Sequence, residues 1–281
     1  MDARHPWQLA TPTEDGQFLL WPEPGQWVAL ARRTHEALAG ERDACLLDVP
    51  LAEARRMARE QFSALDAARR AREGWPRAGA GVDKDALWFV TGHQTFPYHA
   101  GIWAKSVAAD AAARAARGTG QPGEAINLNV DHDLPHAGPQ IAWPAVGDGG
   151  RLVRRGGLTL DHRQPFERQP APTRQQLDKL RRRLADDLAG VRADGLSDEA
   201  GAFFAAGSPA DAPQSADGGV PSFAGWFTAC RSRLDGRLGL ELGARLTSQL
   251  AGQDAFLLLA CDVMARAGSF FAIYNGAVEE A

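Results

Sequence analysis

The chain has 281 residues, of which 44% are hydrophobic, and a formal net charge of −4 with both signs interspersed. This length is sufficient to bury the core of one large domain or two smaller ones. The charge balance does not indicate nucleic acid or an acidic membrane as a partner. Cys45, Cys230 and Cys261 form no CxxC motif, which is typical of reduced thiols in a cytoplasmic protein.

Neither a signal peptide nor a membrane span is evident in the sequence. The N-terminus lacks an apolar core, and no window approaches the ~20 consecutive apolar residues that a membrane span needs. We therefore predict a cytoplasmic protein with no nucleic-acid and no membrane partner. The sequence leaves the oligomeric state open.

The first predicted elements are two helices, 26–39 and 51–72, with a short apolar run at 44–49 between them. Two runs of buried-strand character follow, 87–90 and 126–130, and they flank an alanine-rich amphipathic helix at 101–117. Strand, helix and strand in this order predict a βαβ unit with a right-handed crossover. The two strands of such a unit end at the same edge of the sheet, where open α/β folds bind their ligands.

The remaining elements are a predicted hairpin of strands 140–146 and 152–160 and a helix at 174–192 that Thr173 caps. A loop rich in proline and glycine follows at 207–221. From Ser222 the pattern is helical to the end, with helices at 240–250, 254–267 and 269–281.

The fold class we predict is α/β, with a parallel-sheet core at 1–165 and a helical region at 166–281. The flexible loop near 207–221 belongs to the second region, which we expect to pack on the core. Because the last predicted helix has no glycine or proline stop, the pattern also suits a shortened chain.

The first group of candidate site residues follows the strand at 87–90. Gly92 permits a sharp turn and a close approach of ligand to backbone. The helix that begins near residue 101 favours an anion at its free amides, and Lys105 lies one turn into it. His93 and His99 are candidate acids, bases or ligands, because the pKa of a free imidazole lies near neutrality. The alternative is a loop in which Gly92 serves packing and Lys105 is solvated.

The second group is Asp131-His132-Asp133, directly after the strand at 126–130. Side chains alternate in direction along an extended chain, so at most two of these three face one crevice. In one interpretation the carboxylates position an amine and orient His132 as a proton shuttle. In the other, His93, His132 and His136, with Asp131 as an oxygen ligand, bind zinc for a metal-dependent hydrolysis. Pro135 excludes the helical spacing of a zincin histidine pair, so our main prediction includes no metal.

These residues resemble a motif set of the BshC family, which adds cysteine in bacillithiol biosynthesis. That family has a Thr-Gly-Gln-Gln turn after its first Rossmann strand, then a helix with a lysine, and then a strand that ends in Asp-His-Asp. The matching residues here are Thr91-Gly92-His93-Gln94, Lys105 and Asp131-His132-Asp133. The match spans about 86–135, roughly a sixth of the chain. His93 replaces the family's first glutamine, and 95–100 matches poorly.

The resemblance implies a Rossmann-like core similar to nucleotidyltransferases and a ligase or transferase that joins a cysteine-like amino acid to a small polar acceptor. In this hypothesis Gly92, Gln94, His99 and Lys105 bind substrate, while His93 and the Asp-His-Asp segment carry the chemistry. ATP would suit the activation of a carboxylate, but no Walker A or GxGxxG motif is present, so the cofactor stays unknown. The alternatives are a non-catalytic small-ligand-binding protein, an inactive remnant and the metal-dependent hydrolase.

Overall fold

The computed structural model describes residues 13, 20, 22–73, 85–96, 100–147, 150–188 and 222–279. Within these residues the chain is a mixed α/β protein. The elements in chain order are α1 (Trp27–Gly40), β1 (Cys45–Leu46), β2 (Val49–Pro50), α2 (Leu51–Glu73), β3 (Leu87–Gln94), α3 (Ala100–Gly118), β4 (Gly123–Val130), β5 (Pro139–Val146), β6 (Leu152–Thr159), α4 (Arg174–Leu188), α5 (Phe223–Arg237), β7 (Leu242–Leu246), α6 (Thr247–Ala251), α7 (Asp254–Ala265) and α8 (Ala267–Glu279).

A three-stranded parallel sheet in the order β3-β4-β7 organises the fold. The predicted βαβ unit is confirmed, because β3 and β4 run parallel and α3 connects them. Along this pair His93 lies opposite Asn129 and Gln94 lies opposite Val130. The three strands therefore end at one edge of the sheet.

The third strand, β7, is where the sequence-based assignment fails. We predicted a helix over 240–250, but 242–246 pairs with β4, and only 247–251 is helical. Leucine, alanine and arginine favour helices in isolation. Here the open edge of β4 supplies backbone partners that override that propensity. The sheet thus takes strands from both sides of the boundary predicted at residue 165.

Helices cover both faces of the sheet, as the alternation of side chains along β3 shows. Phe89 packs with the α3 side, whose buried cluster includes Ala109, Ala113, Ala125 and Leu242. Its neighbour Trp88 points to the opposite face and lies 4.9 Å, ring to ring, from Phe62 of α2. Sheet and helices together form a three-layer arrangement around β4.

The α3 helix approaches the sheet closely because small residues line the contact. A Cβ atom at Gly123 would lie 2.7 Å from the carbonyl oxygen of Ala113, so only glycine fits there. On the same face α3 is joined to α5, where the indole nitrogen of Trp103 donates to Asp235 at 3.1 Å. These contacts fix the crossover helix against the sheet.

A second core lies between the hairpin β5–β6, α4 and α5. The predicted hairpin is confirmed as an antiparallel pair, and the four leucines along one face of α4 are buried: Leu177, Leu180, Leu184 and Leu188. Thr173 caps α4 reciprocally: its hydroxyl accepts from the Gln176 amide, and its own amide donates to the Gln176 side chain, a capping box. The aromatic side chains Phe166, Phe223 and Trp226 fill the centre of this core.

The last two helices pack less closely. Among the described residues, no single helix has the length and apolar composition to cross a membrane. Helices α7 and α8 reach that composition only together, and the chain bends by 83° between them. Large apolar side chains stay exposed there: Phe256, Leu257, Leu259, Met264, Phe270, Phe271, Ile273, Tyr274 and Val278. The loop predicted at 207–221 lies outside the described residues.

Candidate functional site

The ends of the three parallel strands meet at one edge, and buried polar side chains join them there. Thr95, the residue after β3, is fully buried, and its hydroxyl donates to the carbonyl of Val130 at 3.0 Å. Asp131 follows β4, and Thr247 follows β7. The predicted convergence of the loops after β3 and β4 is therefore confirmed, and a third loop joins them. We call this region the strand-end site.

Asp131 is the buried centre of the strand-end site, with no exposed surface. Its Oδ1 accepts from the Thr247 hydroxyl at 2.9 Å and from the Ser248 amide at 2.8 Å. Its Oδ2 accepts from the Ser248 hydroxyl at 2.5 Å. The carboxylate thus binds the first turn of α6. This arrangement gives Asp131 a positioning role and does not present its carboxylate to solvent, where we had expected it to contact an amine.

His132, in contrast, is exposed. Its Nδ1 lies 2.9 Å from the Thr247 hydroxyl oxygen, the same hydroxyl that binds Asp131. One side of the imidazole is therefore tied to α6. The ring is oriented by the protein while it stays accessible to a ligand.

Asp133 is also exposed, and it links β4 to β3. The side-chain amide of Gln94 donates to Asp133 Oδ2 at 3.2 Å, and the Leu134 amide donates to Oδ1 at 3.0 Å. The sequence placed Gln94 and Asp133 in one site, and the structure brings them into direct contact. A carboxylate held in this way is a fixed acceptor at the surface.

Backbone hydrogen bonds also fix the Asp-His-Asp segment. The amides of Glu167 and Phe166 donate to the carbonyls of Asp131 and Asp133 at 2.8 Å and 3.1 Å. Both donors belong to a short 3₁₀ turn, Phe166–Arg168, and Phe166 is part of the second core. The segment is thus preorganised by two neighbouring elements.

Gly92 and His93 have contacts of a different kind. A Cβ atom at Gly92 would lie 2.8 Å from the Leu128 carbonyl oxygen, so this glycine permits close pairing of β3 with β4. The His93 ring packs edge-on against Phe96 at 5.4 Å, and His136 packs on Phe96 at 5.8 Å. Packing thus accounts for Gly92, while both histidines flank one phenylalanine beside the strand ends.

Lys105 is exposed on α3, and among the described residues no hydrogen bond joins it to the strand-end site. The start of α3 nevertheless lies towards that edge, because the helix connects the end of β3 with the start of the parallel strand β4. His99 lies outside the described residues.

A metal centre receives no support from the described part of the chain, which holds no group of three or more His, Cys, Asp or Glu side chains placed to bind an ion. Asp131 is also a poor candidate for a metal ligand, because both of its carboxylate oxygens already accept hydrogen bonds from α6. The predicted zinc set of histidines is therefore not assembled around Asp131.

The strand β4 carries a further polar network that anchors the site. Asn127 donates to Asn129 at 2.8 Å, and Asn129 donates to the Thr228 hydroxyl of α5 at 2.9 Å. All three residues are buried. The network therefore connects β4 to α5.

Sequence reasoning missed Thr95, Thr247 and Ser248. For Thr247 and Ser248 the available signal was a Thr-Ser pair after an apolar alternation, Leu242-Gly-Ala-Arg-Leu246, which is the pattern of a strand that ends at polar residues. We had interpreted that stretch as helix, and so its hydroxyl groups had no apparent role.

Comparison of the chain with protein-family models, with curated proteins and with solved structures finds no match. The resemblance to the BshC family therefore stays a prediction based on the residues at 86–135.

Proposed function

We propose that the protein is a BshC-like ligase or transferase, with a Rossmann-like core of nucleotidyltransferase type, that joins a cysteine-like amino acid to a small polar acceptor. The observation that carries the proposal is the contact between Gln94 and Asp133 beside the exposed His132. An oriented carboxylate next to an oriented imidazole suits an amine substrate, because one binds an ammonium group and the other accepts its proton.

The edge of the sheet supports a small-molecule site. Ligands of open α/β folds bind at the carboxyl ends of the strands, and the strand-end site lies there. The first turn of α3 begins at the same edge, and helix N-termini favour anions such as carboxylates and phosphates. We assign the anionic part of the substrate to this turn, with the exposed Lys105 as its counter-charge.

The reaction forms an amide bond and needs an activated carboxyl group. A nucleoside triphosphate would supply that activation as a co-substrate, with phosphate or a nucleoside monophosphate as the leaving group. The acceptor amine then forms its N–C bond to the acyl carbon, and the C–O bond to the leaving group breaks with its electron pair. The proton of the amine passes to His132, and Asp133 holds the amine beside it.

The test is amide formation by the full chain, followed by mass spectrometry with cysteine, an amino-sugar acceptor and ATP. We expect a product with the mass of both substrates less one water. His132→Gln and Asp133→Asn should reduce the rate by about 100-fold or more, the usual contribution of a general base. His162→Gln is the matched control, because His162 is also an exposed histidine but lies outside the strand-end site.

Two other outcomes would separate the alternatives. If cysteine or the amino sugar raises the melting temperature and no product forms, the protein is a binding module. If His132→Gln leaves turnover unchanged, the role assigned to this imidazole is wrong.

A further inference from the structure

The strand-end site contains a chain of hydrogen bonds from a buried carboxylate to an exposed imidazole. Asp131 Oδ1, the Thr247 hydroxyl oxygen and His132 Nδ1 follow one another at 2.9 Å and 2.9 Å. Thr247 is the first residue of α6 and lies 116 residues after Asp131 in the sequence. The direction of these hydrogen bonds determines which nitrogen of His132 carries the proton when the ring is neutral.

The Thr247 hydroxyl has one proton to donate and two lone pairs to accept with. The Asp131 amide donates to this oxygen at 3.2 Å and occupies one lone pair, since a backbone amide can only donate. The hydroxyl proton then has two acceptors at 2.9 Å, the Asp131 carboxylate and the His132 ring nitrogen. A third acceptor, the Asn129 carbonyl oxygen, lies farther away at 3.4 Å and, being neutral, is weaker than the carboxylate.

The carboxylate is the stronger acceptor, because hydrogen bonds to an ionised group are roughly twice as strong as neutral ones. The opposite arrangement would turn a lone pair of the hydroxyl towards Asp131 Oδ1 at 2.9 Å inside a buried site, where an unsatisfied contact is costly. The proton of Thr247 therefore goes to Asp131. The remaining lone pair can be satisfied only by an N–H group on His132.

We propose that Thr247 is a positioning residue that transmits the charge of Asp131 to His132 and fixes this histidine as the Nδ1–H tautomer. The lone pair of the neutral ring then lies on Nε2, the nitrogen that Thr247 does not contact. His132 consequently meets a ligand as a proton acceptor at Nε2, and it binds the hydrogen-bond donors of an amine, thiol or hydroxyl. The tautomer itself follows from the hydrogen bonds alone, and this inference rests on the proposed function only where it identifies the ligand as an amine.

The test is long-range 1H–15N NMR on the ¹⁵N-labelled full chain without substrates, with the pH raised until the imidazole of His132 is neutral by its nitrogen shifts. His132→Gln assigns the signals. We expect a protonated, pyrrole-type Nδ1 and a pyridine-type Nε2. A neutral ring with its proton on Nε2 in the wild type would overturn the proposal without any Thr247 variant.

Variants of Thr247 then test whether its hydroxyl group determines the tautomer of His132. Thr247→Val keeps the shape and removes the hydroxyl, so we expect the Nε2–H tautomer to become the major form, whereas Thr247→Ser should retain Nδ1–H. Thr95→Val is the matched control: it also removes a buried hydroxyl from the strand-end site, but that hydroxyl binds Val130, so the tautomer should not change. Unchanged nitrogen shifts in a folded Thr247→Val protein would contradict the proposed role.

This experiment distinguishes failure of the inference from failure of the proposed function, because it needs no substrate. An Nδ1–H ring in a protein without ligase activity would contradict the function alone. With activity present, Thr247→Val should lower kcat by about 10- to 100-fold, up to the low end of the usual contribution of a general base. Thr247→Ser should restore kcat.

Discussion

Asp131 and Ser248 are 117 residues apart in the sequence and share two hydrogen bonds, from the Ser248 amide to Oδ1 at 2.8 Å and from its hydroxyl to Oδ2 at 2.5 Å. The buried end of β4 is thereby tied to the start of α6. The carboxylate satisfies a helix-start amide that would otherwise lack an intrahelical partner. Ser248 is thus as much a part of the strand-end site as the Asp-His-Asp segment.

Asp131→Asn should therefore destabilise the protein. In the variant, the NH₂ group of asparagine replaces one carboxylate oxygen and cannot accept a hydrogen bond from Thr247 or Ser248. Hydrogen bonds to a charged group contribute about 1.5–3 kcal/mol each. We expect the free energy of unfolding to fall by about 2–3 kcal/mol, measured by urea denaturation. Asp133→Asn is the matched control, because Asp133 is exposed, and its loss should cost about 1 kcal/mol or less. Equal losses would contradict the structural role of Asp131.

Gly92→Ala should also destabilise the protein, because the new Cβ would lie 2.8 Å from the backbone oxygen of Leu128 and 3.3 Å from its Cβ. The strands β3 and β4 would have to separate, at a cost of about 1–3 kcal/mol. Gly118→Ala provides the control, since nothing lies within 4 Å of its Cβ position. Its stability should be unchanged or higher by up to ~1 kcal/mol. Chemical denaturation of both variants measures the difference.

The three cysteines should differ in reactivity. Cys230 is buried in α5, and burial raises the pKa of its thiol to about 12. At pH 8 only about one thiol in ten thousand would then be ionised, and the thiolate is the reactive form. Cys45 and Cys261 are exposed. We expect iodoacetamide to add to two sites in the folded protein and to three in urea, as counted by mass spectrometry.

Labelling of Cys230 in the folded protein at the rate of Cys45 would contradict its burial. Cys230→Ala provides the control spectrum, with two adducts under both conditions.

Asp262 of α7 gives a prediction of pH dependence. The Leu47 amide donates to its carboxylate at 2.7 Å, and Arg266 forms an ion pair with it. These contacts, the amide first, hold the pKa of this carboxyl below its ordinary value of 3.8. The unfolded chain therefore binds the proton more readily than the folded chain does.

The stabilisation by Asp262 is consequently complete above the unfolded pKa and disappears as the pH falls through the lower folded pKa. The stability difference between the wild type and Asp262→Asn should be constant near neutral pH and should shrink below about pH 4. Urea denaturation at a series of pH values measures it. A difference that does not change on acidification would show that the charge of Asp262 does not hold the β1–β2 turn.

Local sequence signals predicted much of the fold. The Thr173 cap and the leucines of α4 are visible in one short stretch of the sequence, and the structure shows the cap formed and the leucines buried. The βαβ unit was predictable because its strands, its helix and its turns each follow their own pattern. These features could be predicted because the interactions that stabilise each element join residues close to one another in the sequence.

The strand β7 and its hydroxyl residues were not predictable in the same way. Arg245 shows the reason: it is buried, donates to the Phe62 carbonyl at 3.2 Å, and lies 4.4 Å over the Phe62 ring. An arginine in a short leucine-alanine stretch favours a helix by propensity. Its burial in a strand depends in part on Phe62, a partner 183 residues earlier in the chain.

The sequence by itself therefore determined the elements, the parallel β3–β4 pair and the candidate Asp-His-Asp segment. Tertiary structure alone decided the role of each side chain in that segment. Asp131 is buried against α6, while His132 and Asp133 stay exposed, because β7 pairs with β4 and delivers Thr247 and Ser248 to its end. A hydrogen-bond partner more than a hundred residues away leaves no trace in a local pattern, and here such partners separate the structural carboxylate from the accessible one.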